Sequence, residues 1–567
     1  VSRRAGKNTS EFFLSGRTMP WWMLGMSMVA TTFSTDTPNL VTDFVRQGGV
    51  AKNWSWWAFL ITGMVTTFLY ARLWRRSGAL TDMEFYELRY SGKEAAFLRG
   101  FRALYLGVVF NILTMAGVTL AAIKIGGIML GLEPLQTILV ASIVTAIFSS
   151  MGGFRGVILT DCVLFITAMV GAVVAAYYAL GHEQVGGLSG LLSHPNVADK
   201  LALLPSWEAD KDLFITVLLI PLAVQWWAAW YPGAEPGGGG YVVQRMLAAK
   251  DERHALRATL FFNVVHYAVR PWPWILVALC SLVVYPDLAS ISEAFPNIAA
   301  DKLGHDLGYP AMLAFVPSGW IGLILASLIA AYMSTISTHL NWGASYVVHD
   351  FYHRFLRPDA SERELVWAGR AFTVVQMICA AAVALMLSNA AQLFDIIIMF
   401  GAGTGLIFLL RWFVPRINAW GEIAAMIASG AIALTFTFLP WDDASTPDVV
   451  ETLGASFGYW SKPLAVALTT AIWILTVCFT PPVDPERLAA FNERIKPLST
   501  PFGWALLATV LGCLTVYAAL FATGWWIYGE TTSAAVATAI TGAAGVCLAL
   551  CLPKLLRPEA DDGASPS

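Results

Sequence analysis

Long apolar runs dominate the chain, and polar positions gather into short joins between them. The runs fall at about residues 20–46, 54–74, 101–131, 134–151, 156–181, 213–249, 258–285, 311–347, 366–388, 392–413, 418–440, 461–481, 503–527 and 533–553. Each is close to, or longer than, the roughly 20 residues that a helix needs to cross the hydrocarbon of a bilayer. Apolar and polar residues do not alternate as they would in barrel strands, so the helix is left as the way to satisfy the backbone in lipid. The pattern predicts an all-α polytopic membrane protein of fourteen spans, numbered in chain order.

Two spans are interrupted near their middles. Span 1 carries Ser34-Thr35-Asp36-Thr37-Pro38-Asn39. Span 6 carries Tyr231-Pro232-Gly233-Ala234-Glu235-Pro236 and then Gly237 to Gly240. With the N-terminus inside, these two spans run in opposite directions, five spans apart. Interrupted helices at matching places in two inverted halves point to the binding site of a transporter. The glycine run also has a plainer reading as a flexible loop, although Trp226, Trp227 and Trp230 precede it and Tyr241-Val242-Val243 follows.

Charge fixes the orientation. Of the 35 Lys and Arg, only Arg46, Lys52, Lys124, Lys200, Lys211, Arg270, Lys302 and Lys462 lie outside or within spans in this topology. The other 27, including Arg72, Arg75, Arg76, Arg89, Lys93, Arg99 and Arg102 between spans 2 and 3, fall inside, as the positive-inside rule requires. The acidic loop with Asp442, Asp443, Asp448 and Glu451 falls outside. Only 13% of residues are charged, about half the share in soluble domains, and the net charge of -3 gives no field for nucleic acid. The seven cysteines all lie in apolar stretches without CxxC spacing and read as buried thiols. The chain opens on Val1 with basic Arg3, Arg4 and Lys7 and no preceding apolar run. No signal peptide is read, and a further span upstream of this sequence is expected. Polar loops near 182–212 and 286–310 are the longest, and a short polar tail follows residue 554.

Span 8 offers the clearest chemistry. In Ala331-Tyr332-Met333-Ser334-Thr335-Ile336-Ser337-Thr338, positions 331, 334, 335 and 338 share one helical face. Neutral hydroxyls suit a monovalent cation that has to leave again, and a broken helix adds carbonyls that have lost their partners. In span 1 these belong to Ala30 and Phe33. Alternatively, the hydroxyls bond back to their own helix or join helices together. Asp161 stands alone in span 5, where a charge costs about 2.5–3.5 kcal/mol on insertion scales, so it is paired, functional or hydrated near the inner surface. Arg270, with His266 one turn away, is either a clamp for a carboxylate or an ion-pair partner of Glu235 or Asp36. Lys124 reads as a snorkelling residue. His349 and His353 have metal-ligand spacing but read as a solvated helix end. Gly401, Gly403 and Gly405 read as close helix packing rather than a dinucleotide fingerprint.

Several stretches resemble the sodium:solute symporter family, which includes proline, galactose and sialic acid carriers. They are Phe13-Leu14-Ser15-Gly16-Arg17 with Trp21, Gly152-Gly153-Phe154-Arg155-Gly156-Val157 with Thr160-Asp161, and Tyr241-Val242-Val243-Gln244-Arg245. Ala331-Tyr332-Met333-Ser334-Thr335, His349-Asp350-Phe351-Tyr352 and Gly401-Ala402-Gly403-Thr404-Gly405 complete the set. The resemblance covers about residues 10 to 415 and implies a leucine-transporter-like core of five plus five inverted spans with spans 1 and 6 broken. The expected organisation is a cytoplasmic segment 1–20, a core 21–415 (repeats at about 21–181 and 213–413), four additional spans over 416–553, and a cytoplasmic tail 554–567.

Carried over by position, the resemblance implies a sodium site on the carbonyls of Ala30, Phe33 and Ala331 and the hydroxyls of Ser334 and Thr335. It also admits a second sodium at Asp161, Ser334, Ser337 and Thr338. Solute contacts are expected from Ser34, Asp36, Thr37, Asn53, Trp57, Asn111, Glu235, Tyr241, His266 and Arg270. The Pro-Gly-Ala-Glu-Pro stretch and Arg270-Pro271-Trp272-Pro273-Trp274 depart from the family's sugar carriers, so the solute's identity does not transfer. The expected protein is a sodium-coupled symporter that imports a small polar organic solute by alternating access. Sodium, the solute and the lipid bilayer are its partners, it works as a monomer in the cell (inner) membrane, and no enzyme or nucleic-acid role is read. The alternative is a solute sensor reusing the fold, although no kinase-like domain follows residue 554.

Overall fold

The computed structural model describes residues 9–228, 235–298, 300–387, 397–438, 448–499 and 501–556. Helices fill these segments; the described residues hold no strand, only one isolated bridge between Met19 and Ala249. Nine helices among them are long and apolar enough to cross a membrane. The remaining predicted spans are divided into shorter helical pieces, and this division positions the site.

Span 1 is two helices, Trp21–Thr31 and Asp36–Gly48, with a non-helical link between them. Pro38 accounts for much of the break. It has no amide to give the Ser34 carbonyl, and a continuous helix would drive its ring into that carbonyl. The local polar groups take over instead. Ser34 N donates to Thr37 Oγ1 at 3.3 Å, and Thr37 N donates to Ser34 O at 3.3 Å. The Thr32 hydroxyl returns to Met28 O at 2.7 Å. Span 6 is likewise helical through Gln225–Trp227 and again over Gly240–Ala248. Trp230 and the Tyr231 to Ala234 part of its predicted break lie outside the described residues.

Spans 4 and 5 appear as one helical segment, Pro134–Leu180, yet two of its stretches lie near the same part of span 8. Thr137, Val140 and Ala141 line a cavity with Leu325, Leu328, Ile329, Tyr332 and Met333 of span 8, while Gly171 packs on Ser327 and Ile324 of the same span. A straight helix rising about 1.5 Å per residue cannot touch one short stretch at both places, so the segment folds back between them, as the two predicted runs require. Span 8 is Ser318–Ser345 continued by Tyr346–Leu356, and its predicted start at 311 belongs to a separate helix, Gly308–Leu313. Spans 13 and 14, Phe502–Tyr528 and Thr531–Leu555, pack together, with Trp526 Nε1 donating to Thr538 Oγ1 at 3.1 Å, and span 13 joins spans 2 and 7 where Tyr517 donates to Trp57 O at 2.9 Å and Trp272 donates to Leu520 O at 3.1 Å.

Buried ion pairs clasp the bundle at both ends. At one end Lys124 Nζ donates to Asp306 Oδ2 at 2.7 Å, with both residues buried. Lys124 is therefore an internal ion-pair partner and not a snorkelling residue. At the other end Arg102 pairs with Glu235, Arg99 with Asp350 at 2.7 Å and Arg411 with Glu422 at 3.1 Å. Burial works to raise the carboxyl of Glu87, in the loop before span 3, but hydrogen bonds from Arg354 and Arg99 outweigh it and hold the group below its usual range. His349 shares a hydrogen bond with Glu84 Oε1 at 2.7 Å, so the inner end of span 8 is docked rather than merely solvated. The glycine run of span 10 packs closely, as expected. A Cβ on Gly405 would stand 1.4 Å from the Trp227 carbonyl oxygen, where only glycine fits. The cysteines are free, but Cys478 and Cys547 are exposed, so not all are buried thiols.

Candidate ion and solute site

The break in span 1 and the hydroxyl face of span 8 come together. Thr335 Oγ1 donates to Thr31 O at 2.9 Å and to Phe33 O at 3.1 Å. Ser34 Oγ, inside the break, lies 3.5 Å from Ala331 O. Ala30 sits in the last turn before the break, and the amide four residues on, that of Ser34, has turned to Thr37. Three expected ion ligands, Phe33, Ala331 and Thr335, thus meet at one seam, and Ala30 borders it. Ser334 faces away from them, donating to Asp161 Oδ1 at 2.7 Å. The Thr31 carbonyl was missed in the sequence, because any carbonyl of a helix's last turn is a candidate until the neighbouring helix is placed.

One turn further in, Asp161 and Thr338 hold a cation of the protein's own. Arg245, fully buried, extends Nη2 to Thr338 Oγ1 at 2.8 Å, Ser27 Oγ at 2.9 Å and Thr31 Oγ1 at 3.1 Å. The same nitrogen lies 3.6 Å from Asp161 Oδ2, which also accepts a bond from Ser27. The rings of Phe154 and Tyr241 flank the guanidinium at 5.3 and 5.8 Å. Ser337 Oγ lies 3.2 Å from the Ser334 carbonyl of its own helix. Of the residues expected for a second sodium, Asp161 and Thr338 therefore face an arginine, and Ser334 reaches that site only through Asp161. In the sequence Arg245 stood only as part of the family-like motif at the end of span 6, with no sign of which way it faced.

The expected solute residues divide. Tyr241 shares a hydrogen bond with Thr32 Oγ1 in the break at 2.9 Å. Arg270 reaches Val29 O at 3.5 Å and His266 Nε2 at 3.4 Å and lies against the rings of Trp274 and Phe33 at 5.2 and 5.7 Å. No ion pair among the described residues includes Arg270, and its Nε is buried without a hydrogen-bond partner. The expected pairing of Arg270 with Glu235 does not form, because Arg102 holds Glu235. Ser34, Asp36, Thr37, Tyr241, His266 and Arg270 thus line the space around the break.

The other four are committed elsewhere. Asn111 donates to His339 O at 2.9 Å and ties span 3 to span 8. Asn53 bonds Val50 O of its own turn and accepts from Trp56 Nε1 at 2.9 Å. Trp57 packs edge-on against Trp54 and Trp56, beside span 13. Its neighbour Trp56 is the ring that meets His266, at 5.6 Å. Span 2 is apolar on every side at this level, so the sequence does not tell which tryptophan turns inward.

With this geometry in place, known proteins can be set beside it. Residues 12–429 match the profile of the Sodium:solute symporter family. The chain belongs to that family. The symporter is 26% identical over 450 residues to a sodium/glucose cotransporter of Vibrio parahaemolyticus, covering 76% of this chain and 80% of that one. It is 27% identical over 487 residues to a sodium/mannose cotransporter of Bos taurus, covering 79% and 78%. Its fold matches a substrate-bound, outward-open structure of a sodium-coupled sialic acid symporter. The TM-score is 0.61 at 20% identity, covering 85% of this chain and 94% of that one. The symporter is a multi-pass membrane protein that imports a small polar organic solute with sodium; it is a transporter and not an enzyme.

Proposed function

We propose that the symporter binds one sodium ion between the broken part of span 1 and span 8, and that the ion favours binding of a carboxylate-bearing solute beside it. The ligands are drawn from the carbonyls of Ala30, Thr31, Phe33 and Ala331 and the hydroxyls of Thr335 and Ser334, the last after it turns from Asp161. One observation carries this reading: the Thr335 hydroxyl already lies on two carbonyls released by the break. Without an ion, its proton bridges them. With one, the hydroxyl oxygen turns inward and joins the carbonyls as a neutral donor. Neutral oxygens hold a monovalent cation without trapping it, as release requires.

Arg245 supplies the positive charge at Asp161 and Thr338, so a single ion is coupled. Arg270, buried without a carboxylate partner among the described residues, is the group that recognises the solute's anion through its planar fork. Ser34, Asp36, Thr37, Tyr241 and His266 surround the rest of the solute. In the cell membrane, one charge moving down 100 mV yields about 2.3 kcal/mol. The ion drives transport only as far as it prefers one conformation of the span 1–span 8 seam over the other.

A thermal-shift screen of purified symporter with sugars, sugar acids, amino acids and organic acids, with and without sodium, tests the solute class. Sugar or organic acids should raise the melting temperature only with sodium, and Arg270→Gln should abolish that shift. Stabilisation by neutral sugars but not by acids would overturn the carboxylate assignment.

A further inference from the structure

An apolar cavity of about 320 Å³ opens between spans 3, 4 and 8, with Thr35 of the span 1 break at its inner end. Almost everything that lines it is hydrocarbon. Its deep hydroxyls are already engaged: Thr35 Oγ1 donates to Val118 O at 3.0 Å, and Tyr332 OH shares a bond with Thr119 Oγ1 at 3.2 Å. A buried water needs two to four polar partners, and this lining has none to spare. An engineered apolar cavity of about 150 Å³ stays dry and takes up benzene; this one is about twice as large.

The mouth identifies the occupant. Leu130, Val140 and Ile329 stand at the rim and are 53%, 66% and 55% exposed. They continue the exposed apolar belt of Leu135, Leu139 and Ile143 on the same face, which in a membrane protein meets lipid. In the orientation that the basic residues imply, the rim lies near the outer ends of spans 3 and 4, at the level of the outer leaflet. What stands before this opening is therefore hydrocarbon of the bilayer itself, continuous with the cavity and matched to it in polarity.

We propose that the cavity holds one acyl chain of an outer-leaflet phospholipid, and that the chain supports the seam between spans 1 and 8. The floor carries the consequence. Thr35 belongs to the break, and Tyr332 and Met333 immediately precede Ser334 and Thr335 on span 8. A chain seated there packs against the outside of the contact that gathers the ion's carbonyls and hydroxyls. Occupancy favours the conformation described above, in which the cavity exists, over any in which span 1 moves away from span 8.

The test uses the full chain in nanodiscs of phosphatidylglycerol and phosphatidylethanolamine with a trace of phospholipid bearing a photoactivatable diazirine near the end of one acyl chain. Peptide mass spectrometry should find label on residues 137–141 and 325–333 several-fold above that on Val163 and Ile166, which are exposed on span 5 and do not line the cavity. Ala141→Trp, which fills the space, should abolish the excess while leaving Val163 and Ile166 labelled. Ala141→Phe, a smaller filling, should reduce it by an intermediate amount and serves where the tryptophan variant does not fold. Equal labelling of cavity and span 5, or excess labelling that survives both fillings, would overturn the proposal. So would protection of the cavity by detergent alone with no lipid label. The labelling readout is independent of the sodium assignment. Its consequence is read separately, as a several-fold shift in the sodium concentration for half-maximal uptake in Ala141→Phe.

Discussion

Two polar clusters lie one helical turn apart on span 8, and they solve the problem of polarity inside a membrane in opposite ways. At the Thr335 seam every group is neutral: hydroxyls and carbonyls that the break in span 1 has released. At the Asp161 cluster Arg245 compensates the carboxylate, the Ser27 hydroxyl bridges the two, and the Thr31 and Thr338 hydroxyls accept from the guanidinium. Neutral oxygens cost little to leave without an ion, because each can fall back on a hydrogen bond. A buried carboxylate does not have that option and keeps a cation at all times. The first arrangement suits a passenger, and the second a resident. In this account the second cluster fastens span 6 to spans 1, 5 and 8, while the first opens and closes.

The comparison breaks most visibly if one charge is removed. Arg245→Ala leaves Asp161 buried and unpaired, which costs about 3–5 kcal/mol; a sharp fall in the melting temperature in detergent is expected. Replacing both, as Asp161→Asn with Arg245→Gln, should recover much of that loss. A double variant no better than the single one would mean that the two residues are not a pair. At the neutral seam, Ser334→Ala with Thr335→Ala should lower the ion-free melting temperature less than Arg245→Ala does, the larger share coming from the bond that Ser334 gives Asp161. It should abolish the stabilisation that sodium gives, read by differential scanning fluorimetry across a sodium series.

Arg270→Lys keeps a charge but loses the planar fork, so uptake of an acidic solute should weaken by about tenfold, or about 1.4 kcal/mol, with the sodium dependence retained. The smallest effect expected is the sharpest in meaning. If Arg245 stands in for a second ion, the Hill coefficient for sodium-driven uptake in proteoliposomes is near one, and a clearly cooperative sodium dependence would show that sodium displaces it.

The span 1 break was legible because its causes are local. Pro38 and a run of short polar residues in an apolar stretch cannot continue a membrane helix, and the ends at Thr31 and Asp36 follow from them. The span 8 hydroxyl face was legible from helical spacing, and the resemblance supplied its counterpart in span 1. What the sequence hid was facing. Arg245, Glu235, Lys124 and Trp57 lie in or beside spans that are apolar all round, so no stripe shows which side meets protein. Lys124 read as reaching toward water because its partner, Asp306, comes from a loop 182 residues away. Glu235 read as a solute contact because it lies at the span 6 break, yet Arg102 of span 3 claims it. Long-range charge pairing of this kind is fixed by packing, and the residue pattern along one span does not encode it.

The most direct test of the central claim is the sodium dependence of uptake by Thr335→Ala in proteoliposomes, measured beside wild type with the same solute and membrane potential. The neutral cage at the seam predicts that the half-saturating sodium concentration rises by about tenfold or more, near the 1.4 kcal/mol that one lost ligand to a charged group is worth, while the protein stays folded. A variant that folds, transports and responds to sodium as wild type does would contradict it.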